Sequence, residues 1–231
     1  LYVSILKSLF SHISAENTDK DGTFTFNTEF DGLVSKKSKS KKNIKYLTND
    51  EVDRIISYLD ANTRDSSHYS YIYALAIKLM MFSGLRASEV LNLTLNDFSV
   101  SDQENGEGEQ DLYEIHLEET KSGDQQKTYI PIWRIEFELE YFHNLIGDNE
   151  FIFKAKNALD DEVIKRNNLY RAVNQILRKI GIKKKGLHLF RHTCAMRAYR
   201  KSGNILAVKQ LLRHKDEKTT MIYACLLYTS D

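Results

Sequence analysis

From Tyr71 to Phe82 the chain is apolar and rich in alanine, and the run is cut off at Gly84. A helix over Tyr69 to Phe82 that ends at this glycine, with Ser88-Glu89 opening a short second helix, leaves Arg86 in a rigid helix-to-helix turn. Upstream, the domain is expected to start near Tyr46, where Thr48 and Asp50-Glu51 read as a capped opening before Val52, Ile55, Ile56 and Leu59. Downstream, Asp111 to Glu118 and Gln126 to Ile132 alternate partly apolar with polar residues around Lys121-Ser122-Gly123-Asp124, a β-hairpin pattern. Phe151-Ile152-Phe153 reads as a third strand. Further helices are expected near Arg134 to Ile146, over Asp161 to Ile180 with Gly181 as its end, and from His188 to Ser202 with Gly203 as its stop. Val208, Leu211 and Leu212 give the helix before His214 an apolar stripe. No internal repeat is visible, and the expected fold class is α+β, mostly helical, with a small antiparallel sheet at one edge.

Against this scaffold six polar side chains stand out: Arg86, Lys121, His188, Arg191, His214 and Tyr223. Together they are what is needed to grip a phosphodiester and attack it with a phenol. Guanidinium forks hold non-bridging oxygens bidentately and never lose their proton, which suits Arg86 and Arg191. A tyrosine with a pKa near 10 is only about one part in a thousand ionised at neutral pH, so it needs a base or a cationic site beside it. His188, Arg191 and His192 fall at i, i+3 and i+4 of one helix and share a face, so His188 can serve as that base. A departing sugar oxygen needs a proton, and a lysine ammonium can deliver it; Lys121 is the candidate, with Lys127 as its competitor. Singly, each residue has an ordinary reading: a surface arginine, a solvated lysine, a capped histidine, one core aromatic among 13 tyrosines. Only the joint spacing overturns those readings.

That spacing resembles the tyrosine recombinases, or phage integrase family, and within them the Xer type. The resemblance rests on Gly84-Leu85-Arg86-Ala87-Ser88-Glu89, on His188-Leu189-Phe190-Arg191-His192-Thr193, and on Leu211-Leu212-Arg213-His214 followed by Thr219-Thr220-Met221-Ile222-Tyr223. It implies that Arg86 and Arg191 clamp the scissile phosphate, that His188 assists proton transfer and that His214 hydrogen-bonds a phosphate oxygen. Tyr223 would be the nucleophile of a 3′-phosphotyrosyl intermediate, Lys121 the general acid on the hairpin, and Glu89 and His192 supporting residues. It further implies site-specific DNA strand exchange on a duplex recombination site, with no metal or nucleotide cofactor, by a homotetramer on two duplexes, with a DNA translocase as candidate activator. Two other readings stand beside it: a type IB topoisomerase-like enzyme, and a DNA-binding module of the same fold that does not cleave.

The chain departs from the family pattern where relatives have Leu-Gly-His and it has Leu212-Arg213-His214. Phe190 also replaces a frequent leucine, and eight residues follow Tyr223, so Cys225 to Asp231 reads as a shortened or non-native end. Net charge is only +1, yet Val163 to Lys218 holds 16 Lys and Arg against two acidic residues, while Asp97 to Glu119 holds nine acidic residues and no Lys or Arg. A cationic C-terminal part fits phosphate contact. The expected DNA contacts are Lys36, Lys37, Lys39, Lys41 and Lys42, then Lys183, Lys184, Lys185 and Arg213. Residues 1–20 are expected to be the last helix of an N-terminal core-binding domain, 21–45 a polar Lys/Ser-rich linker, and 46–231 the catalytic domain. Cys194 and Cys225 make no disulfide framework, and neither a signal peptide nor an apolar run of membrane length is present, so a cytoplasmic protein is expected. Cys-His metal spacing and Gly-rich phosphate loops are absent from the sequence.

Overall fold

The structure is a computed structural model that describes residues 44–63, 67–101, 112–117, 126–154, 163–214, 216 and 218–228, with side chains at 219–224 in the last stretch. The expected opening helix, the lysine-rich linker, Lys121 with its turn, and the residues from 229 onward lie outside the described residues.

Helix α1 (Asn49–Thr63) begins as its sequence requires. Thr48 N donates to Glu51 Oε2 at 2.8 Å and Glu51 N donates to Thr48 Oγ1 at 3.2 Å, a reciprocal capping box. Val52, Ile55 and Leu59 form the buried stripe of α1. Helix α2 (His68–Phe82) is different: Ala74 through Met81 are all buried, so every face of its second half meets another element. It packs against α1, against α3 (Ala87–Leu91), and against α4 (Glu136–His143), α5 (Arg166–Lys179) and α6 (His188–Ser202). An apolar helix buried all round must be central to a domain, and α2 is.

The α2 end places the first site residue. Ser83 N and Oγ both donate to Leu79 O, at 3.1 and 2.7 Å, and Gly84 follows at φ +68. A Cβ on Gly84 would lie 2.9 Å from Leu212 Cδ2 and 3.3 Å from Cys194 Sγ. Glycine is thus required twice, for its left-handed backbone and for the close approach of α6 and of α7 (Ile205–Leu212).

The sheet is antiparallel in the order β1 (Phe98–Val100), β2 (Leu112–Leu117), β3 (Gln126–Pro131). Register pairs Phe98 with Ile115, Ile115 with Thr128 and Leu117 with Gln126, so the hairpin is as expected. The third strand is not. Phe151-Ile152-Phe153 makes only an isolated bridge, Phe151 with Thr94, and β1 occupies the sheet edge instead. Ile152 and Phe153 are both buried, unlike a strand with one face to solvent, and Ile152 N is bonded to Leu93 O at 3.0 Å. Helix α5 begins at Arg166 rather than Asp161, because Val163 is bridged to Lys154 and Ile164 N bonds Phe153 O at 2.7 Å. Helix α4 is likewise shorter than expected, Ile132–Arg134 being a separate 3-10 turn.

Helix α6 ends at Gly203, φ +64, and α7 starts from an Asn204 cap whose side chain accepts from Leu206 N and Ala207 N. Helix α8 (Lys218–Tyr228) then runs into the stretch read as a shortened or non-native end, as far as Tyr228. The apolar interior is in two parts. The main core gathers around α2, while Ala195, Met196, Val208, Leu212 and Tyr223 form a separate smaller cluster joining α6, α7 and α8. No helix among the described residues is long and apolar enough to cross a membrane.

Candidate active site

Four elements converge near Gly84. Arg191, 4% exposed, reaches from α6 so that Nη1 donates to Gly84 O and Nη2 to Leu212 O. One buried guanidinium therefore joins the α2–α3 turn to the end of α7. Burial, then repulsion from Arg86, brings its pKa down to about 10, still protonated at neutral pH. Arg86 sits just before α3 and donates through Nη1 to Glu89 Oε1 at 2.6 Å, while its backbone N donates to Glu89 Oε2 at 2.7 Å. The side chain remains 39% exposed, open to an incoming anion.

Glu89 has a second guanidinium partner. Arg213 Nη2 donates to Glu89 Oε2 at 2.8 Å, and its side chain is only 6% exposed. Arg213, expected at the DNA surface, is therefore an interior residue, because the left-handed backbone at φ 53 turns its side chain toward α3. Burial would raise the Glu89 pKa, but the charge of Arg213 and the hydrogen bonds and charge of Arg86 more than offset that and hold it low.

Tyr223 lies in the small cluster, 1% exposed, and its hydroxyl is 2.8 Å from His192 Nδ1. The expected base was His188; the ring in hydrogen-bond contact with the phenol is His192, expected only to support. His188 itself is exposed, and its ring centroid is 6.2 Å from that of His192, which is in turn 5.8 Å from that of Tyr223. The i, i+4 spacing that grouped His188 with His192 carried the signal. What it lacked was the side from which α8 approaches. Burial pushes the Tyr223 phenol up to about 12, and burial with the neighbouring cations brings His192 down to about 4, so the proton belongs to Tyr223 and His192 accepts. His214, also at about 4 through burial and the charges of Arg191 and Arg86, has Nδ1 2.9 Å from Thr220 Oγ1 on α8.

The hairpin meets the site at one end. Gln126 and Lys127 share a groove of about 440 Å³ with Leu206, Lys209, Gln210, Arg213 and His214. Lys127 Nζ is 3.1 Å from both carboxylate oxygens of Glu114, so this rival for the acid role is already engaged. Lys183 and Lys185 are exposed, whereas Lys184 is turned to an ion pair with Glu51 on α1. Burial pushes the Cys194 thiol up to about 12, so it is packing rather than a nucleophile.

The two low histidine values have a consequence for stability. Both rings protonate near 6.5 in an unfolded chain but only near 4 in the fold. Between those values the unfolded state binds more protons, so the stability that the neutral rings contribute is full above about pH 6.5 and is lost as pH falls toward 4. With screening at the half-buried rings, each contributes on the order of 1 kcal/mol. Thermal unfolding followed from pH 7 to pH 4.5 should show a falling midpoint, and a shallower fall in His192→Gln. A midpoint that stays flat over this range rules out buried neutral imidazoles.

The model of the Phage integrase family matches residues 45–229. Tyrosine recombinase XerH of Helicobacter pylori is 27% identical over 238 aligned positions, covering 96% of this chain and 60% of that protein. Tyrosine recombinase XerA of Saccharolobus solfataricus is 29% identical over 187 positions, covering 81% and 54%. Among solved structures, XerH bound to palindromic difH substrate in a post-cleavage complex superposes with a TM-score of 0.71 at 24% identity, over 96% of this chain and 61% of that one. XerA recombinase gives 0.60 at 22% identity, over 80% and 64%. These likenesses show the fold, and the chain spans 54–60% of the length of the two curated relatives.

Proposed function

The chain belongs to the phage integrase family, as the match over residues 45–229 establishes, and from that premise we propose that it cuts and rejoins DNA at a specific site through a 3′-phosphotyrosyl intermediate. The observation that carries this reading is the arrangement of Arg86, Arg191, His192, His214 and Tyr223, brought from four elements to one cationic cluster with the phenol already hydrogen-bonded. Such a cluster is complementary to a phosphodiester gaining negative charge in an in-line displacement.

The scissile phosphate lies against Arg86 and the unused donors of Arg191, with His214 on a non-bridging oxygen. Its charge offsets the cations that depress the imidazoles, so His192 becomes a better acceptor when DNA is bound. The bond from Tyr223 oxygen to phosphorus forms as the bond from phosphorus to the 5′ oxygen breaks. The phenolic proton passes to His192, next to the exposed His188, and the 5′ oxygen takes a proton from Lys121. Lys121 is four residues beyond Leu117 and five before Gln126, which lines the groove beside His214. Attack by a 5′-hydroxyl reverses these steps, and since the phosphotyrosyl bond retains the energy of the broken link, no nucleotide is consumed. Tyr223 is fully buried in the resting state, so DNA binding shifts α8 on its small separate core to bring the hydroxyl to phosphorus.

Duplex DNA is the partner, a proposal supported by the relative solved with its difH substrate. Residues 1–20 are assigned to a core-binding domain, 21–45 to a linker with Lys36, Lys37, Lys39, Lys41 and Lys42 on the DNA backbone, and 46–231 to catalysis. Four protomers on two duplexes in the cytoplasm, with a DNA translocase as activator, complete the assignment. The burial of Tyr223 also favours a second reading, a module that binds DNA without cutting it.

The test is incubation with a pool of nicked duplexes of randomised core sequence, then denaturing electrophoresis. Strand cleavage leaves protein on a 3′ phosphate and a free 5′-hydroxyl, and sequencing the trapped strands reads the site. Tight DNA binding with no denaturant-stable adduct anywhere in the pool would establish the binding module instead.

A further inference from the structure

Among the described residues Arg213 is the one non-glycine with positive φ, at 53° with ψ 44°. That backbone is disfavoured for any residue bearing a Cβ and natural for glycine. Something about the side chain therefore outweighs the backbone preference. Arg213 donates to Glu89 Oε2 at 2.8 Å and to Leu211 O at 3.3 Å, and its Nε is buried with no hydrogen-bond partner among the described residues. Glu89 has its other oxygen on Arg86 Nη1 at 2.6 Å. The result is a guanidinium–carboxylate–guanidinium row, with an interior cation at one end and the half-exposed phosphate-gripping cation at the other.

Net charge decides what the row does. A lone Arg86–Glu89 pair is neutral, and a neutral pair attracts a phosphodiester weakly. With Arg213 added the row carries one positive charge, and because the Arg213 side chain is only 6% exposed while that of Arg86 is 39% exposed, that charge is expressed at the open end. We propose that Arg213 is a positioning residue for Arg86, acting through Glu89: it neutralises the carboxylate from the interior, so that the charge and orientation of Arg86 remain available to the phosphate. This inference rests on the strand-cleavage reading for its consequence, but not for the ion-pair row itself.

Arg213→Gly is an unusually clean probe, since glycine suits the backbone and misfolding is not the expected result. At saturating DNA the rate of adduct formation should fall about 10- to 100-fold, as when a charged centre loses its outer partner. In a Glu89→Gln background the same change should cost less than about 3-fold, because no carboxylate charge remains to be neutralised. A DNA-free measurement separates this from the fate of the cleavage reading: the Glu89 carboxyl, followed by carbon-13 NMR titration, should protonate at higher pH in Arg213→Gly than in the parent. An unchanged cleavage rate, an equal loss in both backgrounds, or an unmoved titration overturns the proposal. If the parent forms no adduct on any substrate, the cleavage reading falls, and the carboxyl titration still decides whether Arg213 governs Glu89.

Discussion

Tyr223→Phe is expected to eliminate the denaturant-stable DNA adduct, a loss of at least about 10³-fold, because among the described residues no other group is placed to take over as nucleophile. The change removes one oxygen and keeps the ring that fills the cluster of Ala195, Met196, Val208 and Leu212. Folding should therefore survive. What is lost structurally is one hydrogen bond to His192 Nδ1, on the order of 1 kcal/mol. DNA affinity should hold, since Arg86, Arg191 and the surface lysines remain. The measurement is a denaturing gel of nicked-duplex reactions beside a binding titration of the same protein. Equal adduct from the variant and the parent would mean that the nucleophile is another residue. In that case the hydrogen bond to His192 would be an ordinary buried tyrosine contact.

The second large effect belongs to Arg191. Arg191→Ala should both unfold the site and disable it, and the two losses can be separated. Its guanidinium satisfies Gly84 O and Leu212 O, on elements 128 positions apart in the chain. Truncation leaves both carbonyls without that donor and opens a void beside Cys194 and Leu212, so a stability loss of about 2–4 kcal/mol is expected. Removing a cation proposed to face the transferring phosphate should cost a further factor of about 10²–10³ in cleavage. Arg191→Lys separates the terms: the ammonium keeps the charge and much of the volume but cannot span two carbonyls and a phosphate with one planar fork. It should fold closer to the parent yet cleave at least about 10²-fold more slowly. Denaturant melts of the three proteins, read beside single-turnover cleavage on saturating DNA, give both quantities. A parent-like melt together with parent-like cleavage for Arg191→Ala would remove Arg191 from the site altogether.

How much of the site could be seen beforehand follows from the range of the signal. Arg86, Arg191, His214 and Tyr223 stand out as candidates through their joint spacing, and the backbone that carries Arg86 and Arg191 is fixed locally, by a glycine stop and an i, i+3 helical face. The same holds for the Thr48 and Glu51 capping box and for the glycine stop of α6, whose partners lie within a turn. The misses are of another kind. Phe151-Ile152-Phe153 has strand-forming residues, but it is tied to Thr94 by a single bridge while Phe98–Val100 supplies the third strand of the sheet. Arg213 reads as a surface cation until the left-handed backbone turns it inward to Glu89, 124 positions earlier in the chain. His192 and His188 are equivalent by spacing, and only the approach of α8 decides which one meets the phenol.

Periodicity, capping residues and glycine stops act within about a turn of backbone, so the chain alone specifies most of its helices, its hairpin and the candidate residues of a phosphate site. Which imidazole faces Tyr223, which arginine is buried beneath the carboxylate and whether the phenol is open or covered are settled by α6, α7 and α8 closing over Gly84. The reason is physical: burial and charge proximity are properties of a packed arrangement, and they move a phenol to about 12 and an imidazole to about 4 only once solvent has been excluded from between them.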